Sequence, residues 1–231
     1  MSIQTAPTPL PVPAISAIRL DSRYLLLKRI IDVVFTLLIL IPLGIIMAIT
    51  AVCIRLDSKG PVFYRQKRIG QNGRVFEILK FRSMYENSDD LLHRQAIARY
   101  MNDQAVNGDA SADLSYKKAN DPRVTRVGRF IRKTSIDELP QFLNVLRGDM
   151  TLVGPRPPLS YEVEMYSPHD WLRLSGKPGL TGPWQVYGRS KVPFSAMVEM
   201  DIAYLQRQSI WEDLKLIALT IPVMVLGRGG A

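Results

Sequence analysis

Residues 33–54 read VVFTLLILIPLGIIMAITAVCI, a run of 22 residues without a single charge. At a helical rise of ~1.5 Å per residue such a run covers a hydrocarbon core ~30 Å thick. It starts well inside the chain, is longer than the apolar region of a signal peptide and lacks a small-residue cleavage pattern, so it is read as a retained membrane element.

Working outward, Lys28 and Arg29 stand before the run and Arg55 and Lys59 just after it. Cations mark the cytoplasmic side of a membrane segment, and a simple spanning helix carries them mainly at one end. Pro42, near the middle, removes a backbone donor and crowds the carbonyl of Leu38, which predicts a kink there. Two readings fit: a re-entrant hairpin over residues 23–58 with its break at Pro42, or an ordinary spanning helix kinked at proline. The cations at both ends favour the hairpin. Upstream, residues 1–22 hold Pro7, Pro9, Pro11 and Pro13 among small polar residues, the composition of an extended, disordered leader. Residues 59–231 are expected to form one domain.

With 30 Lys and Arg against 21 Asp and Glu, the chain carries a formal charge of +9. An anionic partner is implied: nucleic acid, an anionic membrane surface or a phosphorylated substrate. Nucleic-acid binding accounts for the charge but gives no reason for the apolar run, so no nucleic acid is expected. Cys53 is the single cysteine and lies inside that run, which excludes a disulfide framework and fits a reducing compartment. His93 and His169 are far apart and lack spaced partners for a zinc site or a histidine triad. Neither a P-loop nor a Rossmann glycine signature is present.

Past Gly60-Pro61, residues 62–64 and 75–84 predict two short strands around a turn, with Lys80 and Arg82 on one face. Helices are predicted over 89–102, 123–133, 140–146, 159–167, 194–209 and 211–226, with a Gly/Ala/Ser/Asp surface loop over 107–115. The last helix is apolar, interrupted by Pro222, and suits either a membrane surface or the protein core.

Asp137 and Glu138 follow Ser135 and precede Pro140, at the start of a helix expected to end at Gly148. Ser135 and Glu138 have capping-box spacing, and acids at a helix start meet its dipole favourably, so a structural role is one reading. The other is chemical. Arg123, Arg126, Arg129, Arg132 and Lys133 lead into the acids, and cations, a helix start and two carboxylates together suit a diphosphate with a metal ion between phosphate and carboxylate. A second basic loop, Gly154-Pro155-Arg156-Pro157-Pro158, is either a rigid connector or a mount for a planar phosphate contact by Arg156. Trp184, Gln185 and Arg189 lie in a third loop, of a kind that often lines binding sites.

Several segments taken in order are recognisable: Lys28-Arg29-Ile30-Ile31-Asp32, Gly60-Pro61-Val62-Phe63-Tyr64-Arg65-Gln66, Leu79-Lys80-Phe81-Arg82-Ser83-Met84, Asp121-Pro122-Arg123-Val124-Thr125, Ser135-Ile136-Asp137-Glu138-Leu139-Pro140-Gln141 and Gly154-Pro155-Arg156-Pro157. From about Leu27 to the C-terminus the chain resembles the bacterial sugar transferases, monotopic polyprenyl-phosphate phosphoglycosyltransferases. The resemblance implies a fold that is mainly α with a small β element. A re-entrant membrane helix hairpin would carry a compact cytoplasmic α/β catalytic domain with interfacial amphipathic helices, on the bacterial inner membrane.

The resemblance also implies transfer of hexose 1-phosphate from a UDP-sugar to polyprenyl (undecaprenyl) phosphate through a phospho-sugar on Asp137, as the first membrane step of exopolysaccharide, O-antigen or capsule synthesis. Asp137 would be the nucleophile and Glu138 its acidic partner, either near Mg2+ or positioning the attack. Arg132, Arg156 and Arg189, with Lys80 and Arg82, match positions that meet phosphate or nucleotide. Membrane lipid and a homodimer are further partners it allows. One departure is Ile41, where many members have serine before the mid-membrane proline, so the break at Pro42 lacks a hydroxyl for a freed carbonyl. The chain resembles the compact members, without the preceding run of spanning helices. A non-catalytic membrane scaffold is the alternative if the acids only cap a helix.

Overall fold

The computed structural model describes residues 18, 21–85, 91–101, 121–188 and 192–225. The leader is therefore mostly outside it, as are the loop expected at 107–115 and Arg189.

Helix α1 runs from Ser22 to Asp57 as one continuous helix that contains Pro42. Among the described residues it is the one helix long and apolar enough to cross a membrane, and 11% of its most apolar window is buried. Burial is confined to its two ends: Lys28, Asp32 and Thr36 at one, Thr50 and Ile54 at the other. Between them Leu37, Leu38, Ile41, Ile45, Ile46 and Ile49 are exposed.

Both ends are fastened to the same domain. β1 (Phe63–Ile69) and β2 (Val75–Phe81) form an antiparallel hairpin with Tyr64 opposite Lys80 and Arg68 opposite Phe76. β1 thus extends well past the predicted strand end at Tyr64. α2 (Leu91–Met101) matches the helix predicted there, and α3 (Arg126–Lys133) and α4 (Gln141–Arg147) follow. β3 (Thr151–Val153) pairs in parallel with β4 (Gly179–Thr181), a sheet the sequence did not predict. Between them α5 spans only Ser160–Val163, shorter than expected, before a 3-10 segment at Asp170–Ser175. α6 (Phe194–Arg207) and α7 (Ile210–Val225) close the described chain, after a π-helical turn at Trp184–Gly188.

At the first end of α1, Arg29 donates to the carbonyls of Val145 (2.5 Å) and Leu146 (2.8 Å), so a cation meets the open end of α4. Lys28 pairs with Asp213 of α7 at 2.6 Å, and Asp32 accepts from Thr151 Oγ1 (2.5 Å) and Leu152 N (3.1 Å) of β3. At the other end Asp57 Oδ2 accepts from Val127 N in the first turn of α3 (3.0 Å), where a carboxylate suits the helix dipole. Ile54 packs there with Phe81 and Ile131.

The main core gathers Ile78, Val145, Met150, Leu152, Leu205 and Leu216. Asn144, fully buried, joins α4 to the hairpin: its Oδ1 accepts from Leu79 N (3.0 Å) and its Nδ2 donates to Glu77 O (2.7 Å). Gly179 is needed where β3 meets β4, because a Cβ there would lie 2.1 Å from Gly154 N. In α7, Asp213 and Leu216 face the core while Trp211, Leu214, Leu219 and Ile221 are exposed.

Candidate active site

The acids sit on a 3-10 turn, Ile136–Glu138, between α3 and α4. Ser135 enters it in the left-handed region (φ 57°, ψ 16°) and makes no side-chain capping bond. The predicted capping box is therefore not formed. The left-handed residue carries the chain out of α3 and places Asp137 and Glu138 on a turn of their own, ahead of α4. α4 itself ends as expected, at Gly148 with φ 89°.

Glu138 is directed toward the hairpin, where Lys80 Nζ lies 3.0 Å from its Oε1. This pair is half-exposed and fixes the orientation of the turn more than it stabilises the fold. Asp137, beside it, is half-buried. Arg132, in the last turn of α3, is half-buried and adds to the positive field on Asp121. Asp121 is held below the usual carboxylate range chiefly by hydrogen bonds from Arg123, whose Nη2 lies 2.7 Å away.

Tyr64, Gln66 and Arg68 of β1 share a sheet face with Lys80 of β2, because opposed residues of an antiparallel pair project to the same side. Lys80 meets the acids at one end of that face. At the other, Arg68 Nη1 donates to Pro157 O (3.1 Å) and Nη2 to Gln66 Oε1 (2.8 Å). Glu138 and Arg156 are both among the charges acting on Arg68.

The Gly154–Pro158 loop is bonded at each of its last four carbonyls. Gly179 N donates to Pro155 O (2.9 Å), Arg173 Nη2 to Arg156 O (3.2 Å), Arg68 to Pro157 O and Ile69 N to Pro158 O (2.9 Å). Three proline rings fix φ within it. The loop thus holds Arg156 with its guanidinium 3.9 Å from Glu162 and 5.8 Å from the Trp184 ring centroid. Behind it Arg173 pairs with Asp201 at 2.5 Å, both fully buried.

Of the residues singled out from sequence, Asp137, Glu138 and Lys80 come together, and Arg156 is displayed on a braced loop. Arg82 does not join them: it is buried, and its Nη2 donates to Ser58 O (2.7 Å) and Ser58 Oγ (2.8 Å) at the end of α1. Arg189 lies outside the described residues. His169 is exposed, its Nε2 2.6 Å from Glu199. Sequence reasoning passed over Arg68, Arg173, Asp201 and Glu162. The run Arg65-Gln66-Lys67-Arg68 carries three cations, and nothing local says that the last is the buried one.

The model of the family described as "Bacterial sugar transferase" matches residues 23–227. The chain is similar to "Galactosyl transferase CpsE" of Streptococcus agalactiae, 43% identical over 207 residues, covering 89% of this chain and 44% of the relative. It is similar to "Undecaprenyl-phosphate galactose phosphotransferase" of Salmonella typhimurium, 43% identical over 211 residues, covering 91% and 42%. "Exopolysaccharide production protein ExoY" of Rhizobium meliloti is 39% identical over 204 residues, covering 87% of each. The chain spans less than half the length of the first two relatives and most of the third. On the extent of the family match and these identities, the chain belongs to the bacterial sugar transferase family.

Proposed function

We propose that this protein transfers hexose 1-phosphate from a UDP-sugar to polyprenyl phosphate, with undecaprenyl phosphate as acceptor, at the first membrane step of exopolysaccharide, O-antigen or capsule synthesis. The observation that carries the reading is the acid turn. Lys80 pairs with Glu138 from the hairpin face, on the same turn that carries Asp137, and this supports Asp137 as the nucleophile. The names of the relatives from Salmonella typhimurium and Rhizobium meliloti support the acceptor and the pathway.

In the proposed first step a carboxylate oxygen of Asp137 attacks the sugar-bearing phosphorus, the bridging P–O bond breaks, and UMP leaves with that electron pair. In the second, a phosphate oxygen of the polyprenyl phosphate attacks the same phosphorus. The aspartyl–phosphorus bond breaks, regenerating Asp137 and releasing polyprenyl-diphospho-sugar. Arg156 and Arg132 are assigned to the phosphates in this reading, since planar guanidinium groups suit that charge. Arg189 and Arg82 remain assigned to phosphate or nucleotide on family resemblance alone.

Among the described residues no three His, Cys, Asp or Glu come together as a metal cage. The adjacent carboxylates Asp137 and Glu138 nonetheless fit magnesium, which commonly takes one or two carboxylates and completes its shell with substrate phosphates and water. Those two residues would hold Mg2+, which when bound neutralises phosphate charge.

Helical structure runs unbroken through Pro42, and α1 is proposed to bend there and re-enter the inner membrane from one side, with the catalytic domain on the cytoplasmic face. Its buried ends on one domain, its exposed apolar middle and the cations flanking both ends support this. Labelling of cysteines introduced at positions 25 and 57 tests it: accessibility from one side is expected, and labelling from opposite sides would overturn it.

The chemical test offers purified protein a panel of radiolabelled UDP-sugars with Mg2+ and no lipid acceptor. A covalent phospho-sugar on Asp137 is expected for one donor, and none for Asp137→Asn, which should stay folded and membrane-bound. Near-normal transfer by Asp137→Asn would refute the mechanism.

A further inference from the structure

Arg68 and Arg173 brace the same loop from below, yet their charges are treated in opposite ways. Arg173 is 1% exposed and lies 2.5 Å from the Asp201 carboxylate, with Nη1 also 2.6 Å from Tyr166 Oη. Arg68 is 5% exposed, and its hydrogen-bond partners, Pro157 O and Gln66 Oε1, are both neutral oxygens. Its Nε is buried with no hydrogen-bond partner. Among the described residues no carboxylate forms an ion pair with it, and Glu162 and Glu138 favour its charge only from beyond ion-pair distance.

A buried cation without a counter-ion is costly, and proteins rarely keep one unless its charge is used. A packing role alone is a poor explanation, because an apolar side chain of the same length would fill the space without that penalty. The surroundings say what the charge faces. Arg68 shares a sheet face with Lys80, which holds Glu138, and it grips the carbonyl of Pro157, next to the residue that displays Arg156. Burial, and then the nearby Arg156 charge, lower its pKa to about 10, against a smaller opposing pull from Glu162.

We propose that Arg68 supplies a positive charge beneath the Arg156 loop that the protein balances only in part, and that the diphosphate of the sugar donor completes its neutralisation on binding. Arg68 is a positioning residue: its guanidinium is beneath the loop and acts on the ligand through its field and through Pro157. Arg173, neutralised by Asp201, shares the mechanical bracing only. The inference rests on the donor being a nucleotide diphosphate sugar, and it concerns the binding of the diphosphate rather than the fate of the sugar.

The test uses the full chain in detergent, with inorganic pyrophosphate as probe, comparing wild type, Arg68→Met, Arg68→Lys and Arg173→Met. A unit charge acting over roughly 10 Å at an effective dielectric of about 20 changes affinity for an anion by on the order of tenfold. Arg68→Met should therefore weaken pyrophosphate binding about tenfold while its thermal midpoint holds or rises. Arg68→Lys should stay within about threefold of wild type, because it keeps the charge. Arg173→Met should lose thermal stability, because it strands Asp201. In transfer assays on an active donor, Arg68→Met should raise the donor KM by a similar factor with a smaller change in kcat. Wild-type pyrophosphate affinity in Arg68→Met would overturn the proposal, as would a fall in its thermal midpoint accompanied by an equal loss of binding in Arg68→Lys. Absence of pyrophosphate binding by wild type would overturn it too. The Asp137→Asn experiment judges the transfer reaction separately, so either reading can fail without the other.

Discussion

Lys28 and Asp213 join the long apolar helix α1 to α7, and breaking that pair should loosen the whole attachment. The Nζ–Oδ2 distance is 2.6 Å and the side chains are only 10% and 8% exposed. Asp213 also accepts from Tyr24 Oη at 2.8 Å and Tyr204 Oη at 2.5 Å, so three donors converge on one carboxylate. Burial first, and then the Asp213 charge, push the Tyr204 hydroxyl well above its ordinary pKa, so it stays a donor over the working pH range. Removing one partner of a buried pair leaves an uncompensated charge and costs about 3–5 kcal/mol, whereas replacing both with apolar residues is often nearly neutral. For a domain of this size 1 kcal/mol moves the midpoint by roughly 2–4 °C. Asp213→Leu, which strands Lys28, should therefore lower it by about 6–20 °C. Lys28→Met should cost less, since the two tyrosines still serve Asp213. Lys28→Met/Asp213→Leu should recover much of the loss, because Tyr204 can turn to the Val153 carbonyl at 3.2 Å. Differential scanning fluorimetry of the four proteins in one detergent measures the coupling. If each single change shifts the midpoint by less than about 2 °C, or if the shifts simply add, the pair is not the buried, interdependent lock described.

Two further outcomes follow from the packing and the charges. Asn144→Ala strands the Leu79 N–H and the Glu77 carbonyl at the α4–hairpin junction, and two unmet backbone groups predict a loss of about 2–5 kcal/mol, measurable by thermal or denaturant unfolding. Asp121 titrates below its unfolded value because Arg123 favours the carboxylate, so its stabilisation is present above about pH 4 and disappears as pH falls through the lower folded value. The gap in thermal midpoint between wild type and Asp121→Asn should accordingly be constant from pH 8 to 6 and close on acidification, and a gap that widens in acid would show the sign to be wrong.

Much of the site was legible in the chain because it is built from contiguous runs. Asp137 and Glu138 are adjacent, the approach from Arg123 to Lys133 is one helix with its lead-in, and prolines mark the Arg156 loop. Local chemistry misjudged how the acids are held. Ser135 and Glu138 have capping-box spacing, but one left-handed residue at Ser135 cancels the cap and frees Glu138 to meet Lys80, 58 positions earlier. The β3–β4 pair was invisible for a related reason: each strand is three residues long, too short to show a period, and they meet only because glycine at 179 lets two backbones touch.

By itself the sequence determined that the chain has one long apolar helix, that the rest is mainly helical with a short hairpin, and that it belongs with the bacterial sugar transferases. These are properties of composition and short-range spacing, which survive without knowledge of the fold. Tertiary structure alone decided which charges are buried and what each one faces. Lys28 finds its counter-ion 185 residues away and Asp32 finds its donors on β3, while Arg82 reaches back to the end of α1 rather than to the acids. Arg65 and Lys67 are exposed where Arg68 is buried, because the end of β1 runs beneath the Gly154–Pro158 loop. Burial multiplies the strength of a charge by removing water, and water is removed only by segments arriving from elsewhere in the chain.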